Sequence, residues 1–355
     1  MKRFVLAAML LAGVANAQER VVNVYNWTDY IDPYAIAEFQ RTTGIKVRYD
    51  VYDSLETLEA KVLAGRSGYD VIVPTSEPTF SRLVRAKALL PLDRSKIPQL
   101  AGLSADLMKR VETSDPGAAH GAIYLWGTVG LGVNRTKLPG GPQDSWDLLL
   151  KPDYAKLAAK CGVMMLDSAI DVIPSVLKYL GKSPDSTDAG DLAEVEKTLR
   201  AVRPYIRSFS SAGAVETLAS GETCLALSYS GDVIQAAARA AEAGRSDAIV
   251  YVAPKEGAQL WFDMLAIPAD APHPAEAAEF INFILKPKIM AGITNQVHYA
   301  NAVTATAGLV DKAISGDPSV YPTAGQMAGF FTISAVPPDA AKARSRMWQR
   351  FKSGR

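Results

Sequence analysis

The stretch Val24-Tyr25-Asn26-Trp27-Thr28-Asp29-Tyr30 decides how this chain is read. It starts as a strand and breaks at Asn26-Trp27. Asp32-Pro33 follows, an N-cap with proline at the first helical position. The break gathers aromatics and a carboxylate at the carboxyl end of a strand, where open α/β sheets bind ligands. An aromatic face beside a carboxylate suits an organic cation: the ring takes the apolar body and the carboxylate takes the charge. Read alone, the same residues serve equally well as a strand end with half-buried rings and a capping Asp.

Outward from this stretch, the pattern predicts a helix from Pro33 to Thr43 closed by Gly44, then a strand over 45–52. Asp53-Ser54-Leu55-Glu56 opens a second helix. Tyr69-Asp70-Val71-Ile72-Val73 is the nearly continuous apolar run of a strand buried on both faces. Together these make a βαβαβ lobe. It ends in Pro74-Thr75-Ser76-Glu77-Pro78, a second strand-end loop with a carboxylate, equally readable as a capped turn.

Residues 122–133 form one extended run containing Gly127, Gly130 and Gly132. Glycines weaken a core strand, and here they suggest a crossing between lobes, with a hinge absorbing changes in φ and ψ. Gly130-x-Gly132 lacks the third glycine and the following helix of a dinucleotide site. A second set of elements fills 134–250, and 259–267 is a second crossing leading back. The fold class is therefore α/β: two α/β lobes joined by hinge crossings, with a ligand cleft between them. The expected division is 18–126 with 262–308 as lobe 1, and 127–261 with 309–355 as lobe 2.

Met1-Lys2-Arg3, an apolar run over 4–14 and Ala15-Asn16-Ala17 read as a signal peptide over 1–17, cleaved after Ala17. The run is too short to span a bilayer. With no lipobox-type Cys beside the cleavage site, the expectation is a free protein in a periplasm-like space. Without Lys2 and Arg3 the chain has 36 basic against 37 acidic residues, a net charge near −1. No basic run exists to displace phosphate counterions, so no nucleic-acid partner is expected. The length exceeds the usual single core and suggests two domains.

Cys161 and Cys224 are the two cysteines, and in an oxidising compartment a disulfide is the default reading. A catalytic thiol or a metal pair are the alternatives. His120, His273 and His298 stand at no ligand-like spacing to either. Enzyme signatures are missing except Ser175-x-x-Lys178, which lacks the companion motifs of a serine acyl-enzyme. No catalytic residue, metal or cofactor is expected.

Aromatic-plus-carboxylate recurs. Tyr229-Ser230-Gly231-Asp232 follows the strand after Cys224, Trp261-Phe262-Asp263 lies within the second crossing, and Tyr299 follows a helix. Asp167 and Asp171 follow another strand end. Each alone could be structural; converging on one cleft they describe a receptor for a linear dication with an aliphatic stem. Four buried methylenes contribute roughly 3 kcal/mol. Micromolar affinity needs about 8 kcal/mol, so charge-assisted hydrogen bonds at the ends must supply the rest.

Seven segments stand in a telling order: Tyr25-Asn26-Trp27-Thr28-Asp29-Tyr30-Ile31, Thr43-Gly44-Ile45-Lys46-Val47, Tyr69-Asp70-Val71-Ile72-Val73-Pro74, Ser145-Trp146-Asp147, Ser230-Gly231-Asp232, Pro254-Lys255-Glu256-Gly257 and Tyr299-Ala300-Asn301-Ala302. In that order they resemble the periplasmic polyamine-binding proteins of ABC importers, and among them the putrescine-type branch. The resemblance covers essentially the whole chain after residue 17. It implies a bilobal type II periplasmic-binding fold that closes on putrescine, cadaverine, spermidine or spermine and delivers it to a membrane permease. It implies aromatic walls at Trp27, Tyr30 and Tyr299, with Thr28 and Asp29 beside an amine. Asp263 would be the main ammonium-binding carboxylate, Asp232 a second, and Trp261 the ring against the methylene stem. Cys161 and Cys224 fall where the putrescine-type relatives carry a disulfide.

Three positions depart from that family pattern. Asp171 stands where relatives often have a longer Glu, and Tyr229 replaces an expected Trp. The loop at Glu77 is one residue longer, so Glu77 could add a carboxylate where a Ser is common, favouring a longer or more highly charged polyamine. A monomer is expected, since one receptor docks on one transporter. The alternatives are a receptor for a neutral or anionic solute, a sensor partner, or an exported hydrolase resting on Ser175 and Lys178. An anion would call for an arginine clamp, and no Arg occurs at these strand ends.

Overall fold

The computed structural model describes residues 19–211 and 213–354; the signal-peptide reading lies outside the described residues. Strand β1 (Val21–Trp27) ends at the break, and Asp32 caps the helix Pro33–Thr43 by accepting the Tyr34 N–H at 2.9 Å. Gly44 ends that helix at φ +70°, the left-handed conformation that glycine adopts without penalty. Strand β2 (Lys46–Tyr52), the Ser54-capped helix Leu55–Leu63 and strand β3 (Val71–Ile72) complete the unit. β1 lies between β2 and β3, parallel to both.

Strand β4 (Gly121–Asn134) is buried along its whole length. Strands β5 (Val163–Met165), β6 (Ser208–Phe209), β7 (Leu225–Tyr229), β8 (Ile249–Val252), β9 (Gln259–Ala266) and β10 (Ala300–Asn301) follow. The sheet order is β2-β1-β3-β9-β4-β7-β5-β6, with β8 and β10 pairing β4. β4 runs antiparallel to β9 from Gly121 to Val129, and to β7 from Val129 to Val133. The two long strands are thus the two crossings, and β4 changes partner at Val129. Cys161 and Cys224, next to the starts of β5 and β7, form a disulfide with Cα atoms 5.6 Å apart.

The structure gives the β4 glycines a different purpose from the hinge freedom expected of them. None has positive φ. A Cβ at Gly127 would stand 2.6 Å from the Trp261 ring, one at Gly130 would strike the Tyr251 hydroxyl, and one at Gly132 would stand 2.8 Å from Leu218 and Val233. They are glycine because neighbouring side chains lie directly on the backbone.

Residues 309–330, expected with lobe 2, pack elsewhere. Val310, Ile314, Val320 and Phe330 join the core of Tyr52, Leu58, Phe80 and Leu83, where apolar surface of the first unit needs cover. Tyr321 meets Trp126 edge-on at 6.4 Å, and Asn295 Oδ1 accepts the Asp311 N–H at 3.0 Å. The last helix, Pro338–Ser353, packs on the β5–β6 side, with Trp348 and Phe351 edge-on to Phe209.

Candidate ligand-binding site

The turn after β1 is held by Asn26, which is 2% exposed. Its Oδ1 accepts the Trp27 N–H at 2.8 Å, and its Nδ2 donates to the Tyr49 hydroxyl at 2.8 Å. The Tyr124 hydroxyl donates to the Tyr30 carbonyl at 2.8 Å. These bonds turn the Tyr30 ring inward, where its hydroxyl is buried without a hydrogen bond of regular geometry and faces Asp263. Thr28 and Asp29 stay exposed on the turn, Asp29 at φ +53°. Trp27, half-buried, packs on Tyr52 at 4.5 Å.

Alternate residues of a strand share a face, so Gln259, Trp261 and Asp263 of β9 project together. Asp263 is buried opposite Thr75, whose hydroxyl donates to it at 2.6 Å. Burial pushes the Asp263 carboxyl up to about 7, against the opposing pull of the Thr75 and Tyr30 hydroxyls. The Trp261 ring meets Tyr299 at 5.1 Å and Tyr229 at 5.9 Å, and Tyr299 meets Tyr30 at 5.6 Å. All three contacts are edge-to-face, an arrangement that aromatic quadrupoles favour. Tyr30, Tyr299, Trp261 and Tyr229 therefore form one continuous aromatic wall.

Two further acids start helices just beyond the carboxyl ends of β5 and β7. Asp171, in the first turn of helix Ala169–Tyr179, accepts from Ser168 at 2.6 Å, the Tyr229 hydroxyl at 2.9 Å and Gln259 Nε2 at 3.0 Å. Burial raises its pKa above the usual carboxylate range. Asp232, in the first turn of helix Ser230–Glu242, accepts the Tyr299 hydroxyl at 2.8 Å, and burial pushes it up to about 6. Gly231 makes this contact possible, because a Cβ there would lie 2.5 Å from the Tyr299 ring. These partners of the three acids are hydroxyls and an amide, all neutral. A buried carboxylate so placed is costly until a cation meets it.

Glu77 takes its hydrogen bonds away from the wall. It is buried, and its oxygens accept from Ser81 at 2.6 Å and Ser114 at 2.8 Å. Asp167 serves the last helix, accepting from Trp348 at 3.0 Å and Lys352 at 2.7 Å. Ser175 is 1% exposed and spends its hydroxyl on the Asp171 carbonyl at 2.7 Å, while Lys178 lies over the Phe331 ring. Among the described residues no cluster of His, Cys, Asp and Glu is arranged to hold a metal ion. Sequence reasoning missed Gln259 and Gly231 as site-forming residues and left the hydroxyl at Thr75 unassigned. The alternation of β9 was a signal for Gln259; nothing local marked Gly231 as the seat of a ring far along the chain.

Acids and rings enclosed where two groups of strands meet two crossings define a protein that captures a small solute. Comparison with known proteins agrees. Residues 34–322 match the family described as bacterial extracellular solute-binding protein, and the chain belongs to that family. It is 44% identical to the putrescine-binding periplasmic protein SpuD of Pseudomonas aeruginosa over all of both chains. It is 40% identical to the putrescine-binding periplasmic protein PotF of Escherichia coli, covering 97% of this chain and 94% of that one. The solved spermidine/putrescine ABC transporter substrate-binding protein PotD of Streptococcus pneumoniae matches with a TM-score of 0.82 at 27% identity, covering 95% of this chain and 99% of that one. The fold is the two-lobed type II binding-protein fold, and the family is one of binding proteins rather than enzymes.

Proposed function

We propose that the protein captures a linear polyamine in the periplasm and delivers it, as a monomer, to the permease of an ABC importer. The observation that carries this reading is a wall of four rings with three buried acids, Asp263, Asp232 and Asp171, whose partners are neutral. Rings receive the methylene stem, and each acid offers a place for an ammonium group. The names of the relatives SpuD and PotF support the same ligand class. In this reading Asp263 is the principal charge, Asp232 and Asp171 are secondary, and Trp27 flanks the wall. Thr28 and Asp29 guard the rim. The lobes divide near the β4 partner change, so that Trp27, Tyr30, Asp263 and Tyr299 grip from one side while Asp171, Tyr229 and Asp232 grip from the other. A ligand held by both sides favours the closed arrangement. A thermal-shift series with putrescine, cadaverine, spermidine and spermine tests this: at least one should raise the melting temperature by several degrees, and no response to any of the four overturns the reading.

A further inference from the structure

Two buried groups near the wall take no part in the grip described above, although the sequence marks one of them, Glu77, as a possible extra carboxylate for the ligand. Gln259, 2% exposed, donates its Nε2 N–H to Asp171 at 3.0 Å, which fixes the orientation of the amide. Its Oε1 is buried and meets no donor. A buried acceptor without a partner costs roughly 1–3 kcal/mol, a cost that a ligand N–H would remove. Glu77, 7% exposed, takes one hydroxyl on each oxygen, from Ser81 and Ser114. A carboxylate has about four accepting positions, so both oxygens have capacity left. Those partners are neutral, and Arg85 acts on Glu77 only at longer range.

Both residues line one small polar cavity, together with Thr75, Ser114, Trp261 and Arg110. It measures about 10 Å³, room for a single water-sized group. Trp261 belongs to the ring wall and Thr75 holds Asp263, so the cavity continues the site already described. Arg110 is a cation on its lining, and its Nη2 is turned to the Met327 carbonyl at 3.4 Å. An ammonium group matches a water molecule in size and brings N–H donors, the complement of the unpartnered Gln259 oxygen and the Glu77 carboxylate.

We infer that Gln259 and Glu77 close a subsite for one further ammonium group, so that the preferred ligand carries three amines rather than two. This rests on the polyamine reading and narrows it. The test is calorimetric titration of the whole protein with putrescine and with spermidine, in the wild type, Glu77→Gln and Gln259→Met. The wild-type Kd for spermidine should be at least tenfold below that for putrescine, and this ratio should fall below threefold in each variant. Glu77→Gln keeps the shape and an acceptor for a serine hydroxyl, and melting curves establish that the variants fold. A wild-type ratio of one or less overturns the inference without needing either variant, and leaves the polyamine reading standing. A tenfold ratio that survives both substitutions also overturns it. If neither amine binds, the inference fails, and the polyamine reading fails with it only if cadaverine and spermine do not bind either.

Discussion

Asp263 sits 4% exposed between the Thr75 and Tyr30 hydroxyls, whereas Thr28 lies in the open on the turn after β1. Removing one member of a buried ion pair costs about 3–5 kcal/mol, while a rim contact in water is worth far less. Asp263→Ala should therefore weaken polyamine binding by about a hundredfold or more, and Thr28→Ala by no more than about threefold. Equal losses in calorimetry would contradict the roles given to the two residues. As candidates, Tyr229 with Asp232 at a strand end and Trp261 with Asp263 inside the second crossing are legible as an acid beside an aromatic, whereas Tyr299 has no acid beside it and is carried by the family resemblance. The partners of Glu77 were not legible: Ser114 is 37 positions away, and only the fold reveals that its hydroxyl reaches that carboxylate. Gln259 is uncharged and carries no local mark of a cation site, even though it shares a face of β9 with Trp261 and Asp263.

At the scale of elements, strand alternation, caps and glycine punctuation identified most of the chain. The helix Pro33–Thr43, the Ser54-capped helix Leu55–Leu63 and both crossings lie where their patterns put them. Two things were not legible. Apolar positions over 309–330 announce that a face is buried but not against which lobe. The glycines of β4 announce an unusual strand without distinguishing freedom of φ and ψ from close packing. The structure decides for packing, and a substitution tests it. Gly127→Ala pushes a methyl group toward the Trp261 ring. Overpacking of this kind costs about 1–3 kcal/mol, so the melting temperature should drop by several degrees and polyamine binding should weaken with it. Gly140, exposed and with nothing within 4 Å of a Cβ, is the matched control and should tolerate alanine. A Gly127→Ala protein as stable as the control would restore the hinge explanation.

For the whole molecule, the buried acids link ligand, proton and stability. Asp263 and Asp232 titrate at about 7 and about 6 in the folded chain, well above an unfolded Asp near ~4. Raised values mean that the folded chain keeps protons the unfolded chain has already lost. The stability these groups contribute is full below about pH 4 and declines as pH rises through 6 and 7. A polyamine acts in the opposite sense: it binds the carboxylate form, so its affinity grows over the same window and its binding releases protons. The most direct measurement is a calorimetric titration with putrescine, cadaverine, spermidine and spermine in parallel at pH 8 and pH 5.5. One-site binding is expected at pH 8 with a Kd of roughly micromolar or tighter for at least one of them, and at least tenfold weaker binding at pH 5.5. No binding of any of the four at pH 8, or an affinity that does not change with pH, would contradict it.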